Sequence, residues 1–228
     1  MSIWTRIADV ISGIGDSVGG FLQSLTTREP ARPEKSVAFT IGMIALGAKM
    51  AKADGVVTQH EIAAFKQVFH IPDSELASVA RVFNLAKQDV AGYESYARQI
   101  ARLFGAQNEV LEDVLDGLFH IAKADNAFHP NENGYLASVA DIFGFSKADF
   151  ARIRARHVAV ANDPYLILGL EHDASIDEIR KRYRTLVREC HPDRHIAAGV
   201  PEEMIRIATE RLQKVNEAYD MIIKEKAA

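Results

Sequence analysis

The sequence predicts an all-α protein in which an amphipathic N-terminal helix precedes two helical domains. Three observations predict it. Apolar residues recur at steps of three and four from Ile3 to Ile222, the spacing of helices that bury one face. No stretch convincingly alternates apolar and polar residues as a half-buried strand does. Prolines, glycines and capping residues punctuate the chain at helix length. With 228 residues and 48% hydrophobic content, the chain is long enough for two modest cores.

Residues 1–25 form the first element. Ile3, Trp4, Ile7, Val10, Ile11, Ile14, Val18, Phe21, Leu22 and Leu25 share a helical face opposite Arg6, Asp9, Ser12, Asp16 and Ser17. One reading packs that face on the next domain or on a second copy of the chain. The other lays it on a membrane with Trp4 near the headgroups. The polar side carries more acid than base, which anionic lipid repels, so packing or self-association is preferred over peripheral membrane contact. Residues 26–35 follow as a spacer, with two prolines and alternating charge. Ser36 is the expected N-cap of the apolar run that begins at Val37.

Residues 36–158 read as one helical domain, with helices near 36–53, 59–70, 73–87, 91–104, 108–124, 131–143 and 147–158. Thr58 with Glu61 and Ser146 with Asp149 are expected capping boxes, and Pro130 suits a first helical turn. Gly105 and Gly144 stand where helices stop. The stretch Ala51-Lys52-Ala53-Asp54-Gly55 through Glu61 is echoed by Ala122-Lys123-Ala124-Asp125-Asn126 through Glu132, an internal repeat of a helical hairpin. The acid spacing matches the second half of an EF-hand loop, but Met50, Lys52, Ile121 and Lys123 stand where oxygen ligands belong. An EF-hand is therefore rejected. The preferred reading is that these acids cap the helices that follow. The other is an unconventional divalent-cation site on Asp54, Glu61, Asp125 and Glu132. The repeated Ala-x-Ala-Asp pattern resembles the TerB-like domain, a seven-helix bundle, and some members of that family have been linked to metal.

Residues 159–228 carry the strongest motif. Ile176 to Cys190 reads as an amphipathic helix with Arg180, Lys181, Arg184 and Arg188 on its polar side. Pro192 disfavours helical geometry at His191, which places Asp193 on a turn where its carboxylate can meet an arginine of another protein. A second helical run, Glu202 to Lys224, completes a hairpin. Asp163-Pro164-Tyr165 through Leu170, the basic helix, His191-Pro192-Asp193 and Lys214-Val215-Asn216-Glu217-Ala218-Tyr219 follow in that order. This combination resembles the J-domain of DnaJ-type co-chaperones. The order of a TerB-like block and a terminal J-domain resembles the DjlA group, in which the segment Ala197 to Pro201 also has a counterpart.

The resemblance implies a protein that is not itself an enzyme and docks on a DnaK-type ATP-dependent chaperone to stimulate its ATP hydrolysis. It carries partner contact onto His191, Pro192, Asp193, Arg194, Arg180, Tyr183 and Arg184, and leaves targeting or assembly to the TerB-like domain. Cys190 departs from the family, which has an aromatic residue there, and the chain ends where a fourth helix normally follows. The rival is a metal-binding or structural adaptor whose J-like hairpin is inactive. No cofactor is required by the co-chaperone reading; the rival would hold a divalent cation at the repeat acids Asp54, Glu61, Asp125 and Glu132.

Composition narrows the remaining classes. A net charge of −4 gives no global field for nucleic acid. One cysteine makes no disulfide framework and suits a reducing compartment. No apolar run approaches the roughly 20 residues that span a bilayer. The expected location is cytoplasmic, peripheral at most. The histidines are dispersed and make no zinc pattern, and His120 reads as a satisfied core residue. The run Arg152 to Arg156 reads as the cationic end of a helix.

Overall fold

Helices form where the three-and-four spacing runs. The computed structural model describes residues 3–13, 18, 20, 22, 32–53, 66, 68, 69, 71–88, 92–105, 108–123, 128–158, 163–202 and 205–227. Among the described residues there are eleven delimited α-helices and no strand. They are α1 (Ile3–Gly13), α2 (Arg32–Ala53), α3 (Leu76–Gln88), α4 (Tyr93–Phe104), α5 (Asn108–Ala122), α6 (Pro130–Ile142), α7 (Lys147–Ala155), α8 (Pro164–Leu168), α9 (Ile176–Glu189), α10 (Pro192–Ala198) and α11 (Ile205–Lys226). The all-α expectation holds.

The apolar stretch Val37–Met50 of α2 is buried on all sides, as a helix without a polar face must be. It packs against α1, α3, α4, α5 and α6 and so forms the axis of a bundle. Gly117 of α5 makes one close approach: a Cβ there would lie 1.9 Å from Met43 Cε of α2. Helix α2 starts at Arg32, four residues before the expected Ser36 cap. Pro33 suits a first turn because its missing amide would have found no helical partner anyway. Ser36, freed from capping, donates its Oγ–H to the carbonyl of Gly199 at 2.7 Å, far along the chain.

Helix α1 gives its apolar face to the bundle. Ile3, Trp4 and Ile7 are buried in the bundle core, with Val18 and Leu22 beside them. Of the occupants considered for this face, the neighbouring domain is the one observed. Among the described residues no helix is long and apolar enough to cross a membrane.

The caps follow the expected chemistry where they are described. Ser146 Oγ accepts from the Asp149 amide at 3.1 Å and the Asp149 carboxylate accepts from the Ser146 amide at 3.1 Å. At α6, Pro130 sits in the first turn behind an N-cap at His129. Gly144 follows α6 with φ 86°. Gly105 closes α4 in a right-handed conformation. The Thr58–Glu61 box and the turn residues Gly55 and Asn126 lie outside the described residues.

A second core joins α8, α9 and α11 through Tyr165, Leu168, Ile179, Leu186, Val215, Ala218 and Ile222. Cys190 closes its base, 2% exposed, and burial pushes its thiol up. Ile176, placed on the buried stripe by its spacing, is 42% exposed as the first residue of α9. The two cores interlock. Ala155 of α7 packs in the hairpin core, while Val200 and Ile207 pack in the bundle core.

Candidate functional site

The turn between α9 and α11 contains a helix that the sequence pattern did not reveal. His191 is the N-cap of α10, Pro192 its first residue, and Gly199 ends it at φ 104°. His191 Nδ1 accepts the Asp193 backbone amide at 3.2 Å, which leaves Nε2 to carry the proton of the neutral ring. Proline without an amide, a capping side chain and a stopped helix fix the loop on both sides. The product of that geometry is a projecting acid: the Asp193 side chain is 86% exposed.

The other residues singled out in the sequence divide into two sets. Arg180 and Arg184 stand exposed on α9, with Lys181 and Arg188 exposed alongside, a basic face on the helix that leads into the loop. Tyr183 turns inward. Its ring stacks on Tyr219 with centroids 4.0 Å apart, and its hydroxyl donates to Asn216 Oδ1 at 3.0 Å. Arg194 is half-exposed and pairs with Glu109 of α5, so it faces the bundle as well as solvent.

Immediately behind α10 lies a buried charge cluster. Arg152 forks onto Glu112 at 2.9 and 3.2 Å, and Arg156 reaches Asp116 at 2.8 and 2.9 Å. Both stand at the end of α7, the cationic helix end expected from the sequence, but buried and paired with acids. The two rungs match because Glu112 and Asp116, and likewise Arg152 and Arg156, are spaced four apart on facing helices. Arg211 of α11 adds contacts to Asp113 at 3.3 Å and to the Glu109 carbonyl at 3.3 Å. His195 of α10 pairs through Nδ1 with Asp113 and faces the Glu189 carbonyl through Nε2 at 3.0 Å. His157 completes the set, 2.6 Å from Asp116 and stacked on Phe119.

The electrostatics follow from burial and pairing. Burial raises the Glu112 carboxyl, but Arg211, Arg156 and Arg152 outweigh it and hold the group well below the usual carboxylate range. Asp116 is likewise lowered, with Arg156 and His157 overcoming its burial. Asp113 goes the other way: burial pushes it up more strongly than Arg211 and His195 pull it down. His157 and His120 are both lowered by burial; His120 is half-buried beside charged neighbours rather than enclosed in a core. The cluster couples three distant stretches, so the loop rests on a base fixed by both parts of the molecule.

The proposed cation ligands are not brought together in what is described. Glu132 accepts the His129 amide at 2.8 Å, the capping role. Asp54, Glu61 and Asp125 lie outside the described residues. Among the described residues no group of three or more acids, histidines or cysteines is arranged to hold a metal ion.

Comparison with known proteins finds two families along the chain. The family described as "Tellurite resistance protein TerB" matches residues 40–155, and the DnaJ domain matches residues 163–227. The chain is similar to "Co-chaperone protein DjlA" of Coxiella burnetii, 30% identical over 90% of this chain and 85% of that protein. Proteins of the same name from Photobacterium profundum and Photorhabdus laumondii are 28% and 24% identical. The first covers 91% of this chain and 84% of its own length, the second 99% of each. No solved structure matches.

Proposed function

The chain belongs to the DjlA group of co-chaperones, which serve DnaK-type chaperones through a J-domain, and from that premise we propose that it stimulates ATP hydrolysis by such a partner through its His191-Pro192-Asp193 loop. The observation that carries this reading is the Asp193 carboxylate, 86% exposed in the first turn of α10, just beyond α9, whose polar face bears Arg180 and Arg184. Asp193 engages an arginine of the partner, a charge-assisted contact, while the arginines of α9 meet acidic surface. Docking favours the partner's hydrolysis-competent conformation because the contacts form better with that state. His191 and Pro192 act by holding Asp193 forward. Tyr183 acts by stacking α9 on α11, and Arg194 by tying the loop to the bundle. The TerB-like bundle contributes targeting or assembly.

Single-turnover ATP hydrolysis by a DnaK-type chaperone, with and without this protein, tests the reading. Wild type is expected to accelerate the turnover. Asp193→Asn is expected to abolish the acceleration with an unchanged thermal midpoint. Equal stimulation by wild type and Asp193→Asn would sink the mechanism, and folded wild type without effect would favour the adaptor.

A further inference from the structure

Between α5, the end of α7 and α11 lies a cavity of about 150 Å³. Lys123, Arg156, Arg206, Arg211 and Lys214 line it, against Asp116 and Glu210. Most of these cations already meet an acid: Arg211 lies 3.3 Å from Asp113, Lys214 2.8 Å from Glu217, and Arg156 2.8 Å from Glu112 as well as reaching Asp116. Asp116 is already shared by Arg156 and His157 at 2.6–2.9 Å, and Glu210 lies 3.5 Å from Arg206 Nε. The Arg156 side chain is 2% exposed, and its Nε and Nη1 find no acceptor among the described residues. A buried donor without an acceptor is costly, the more so on a charged group. On the cavity rim, burial and the nearby charge of Lys214 both lower the Lys123 ammonium. The unmatched Nε and Nη1 of Arg156, with the Lys123 ammonium beside them, are what the cavity offers an anion.

We propose that the cavity is a binding site for a small tetrahedral oxyanion of the phosphate class, held by Arg156, Lys123 and Lys214 between the bundle and the hairpin. Its size sets the ligand. Pockets for drug-sized molecules run to about 300–1,000 Å³, so this one admits a single phosphoryl or phosphate group and not a nucleotide. Its position sets the consequence. Lys123 and Arg156 come from the bundle side, Arg206 and Lys214 from α11, so a bound anion bridges the two parts and stabilises the arrangement that supports the loop.

The test uses the full chain, in buffers of equal ionic strength, with chloride as the reference anion. Sodium phosphate is expected to raise the thermal midpoint in a saturable way and to give a saturable heat in calorimetric titration. The Lys123→Gln, Lys214→Gln double variant should weaken that binding by about tenfold or more. Both side chains are exposed, so its midpoint without phosphate should match wild type. Adenosine monophosphate supplies a second arm: binding as tight as phosphate identifies a terminal phosphoryl group, and weaker binding identifies the free anion. Phosphate acting no differently from chloride, or unchanged affinity in the double variant, overturns the site.

Discussion

Helix α10 has two charged sides that work in opposite ways. At its start Asp193 is 86% exposed and His191 52%, and among the described residues no lysine or arginine lies at salt-bridge distance from the aspartate. Two residues further on, His195 is fully buried against Asp113, itself 1% exposed. The outward side is useful because it is unsatisfied, ready for a partner. The inward side is useful because its charges are paired, so that seven residues with too few turns to be stable alone are held in one position. Recognition and support are thus separated by half a turn of one short helix. Substitutions on the two sides should fail differently.

The largest expected effect on stability is at the buried side. Arg211→Met removes the cation that α11 supplies to Asp113, Glu112 and Asp116 and leaves carboxylates in a desolvated place. Removing one partner of a buried ionic group costs about 3–5 kcal/mol, read as a lower urea midpoint with an unchanged slope. A cost below about 1 kcal/mol would mean that the cluster behaves like surface charge, and the contrast with the Asp193 side would collapse.

A smaller effect comes from pH. Burial lowers His157 and His120, so their folded values lie below the roughly 6.5 of an unfolded histidine. As pH falls through 6.5 the unfolded chain takes up protons that the folded chain refuses, and stability declines. The slope is at most about 1.4 kcal/mol per pH unit for each histidine. Glu112 and Asp116 are lowered, so their contribution is present above the unfolded carboxylate range and is lost only in stronger acid. Asp113 is raised and has the opposite sign: its contribution is present in acid and lost as pH rises through its folded value. Thermal unfolding from pH 7.5 to 5.5 should therefore show a falling midpoint, and His157→Gln should flatten that slope.

The difference between the two sides also explains what the sequence disclosed. The exposed loop is a local motif: His191, Pro192 and Asp193 are neighbours, and the cap and proline act within three residues. Long helices such as α2 and α5 were legible because each repeats its apolar spacing over several turns. Helix α10 was not, since about two helical turns are too short to show a period and its stability comes from α5 and α11. The cluster was harder still. Glu112 and Asp116 lie 40 residues before Arg152 and Arg156, and Asp113 is paired with residues of α10 and α11. Each residue alone reads as a solvated charge. The one available signal was the matched spacing of four within each pair, which became meaningful only when α5 and α7 faced one another. Tyr183 shows the same limit on a smaller scale, because its spacing allowed both the basic face and the side that stacks on Tyr219.

The smallest effect should come from the contact that joins the two sides. Arg194 follows Asp193 directly and pairs with Glu109 of α5, with the two side chains 50% and 23% exposed. A partly solvated pair of this kind is worth about 0.2–1 kcal/mol, so Glu109→Gln should barely move the thermal midpoint. It should move the docking. With the tie to Glu109 gone the loop is held less firmly, and the stimulation of a partner's ATP hydrolysis should half-saturate at a higher concentration. The Glu109→Gln, Arg194→Gln pair makes the cycle complete. If Arg194 acts by tying the loop to the bundle, Arg194→Gln alone and the double variant should coincide. If the double variant instead recovers wild-type stimulation, the pair matters for its net charge and the tie to α5 is incidental. Either result separates the charge that α10 offers outward from the charge that fixes it inward.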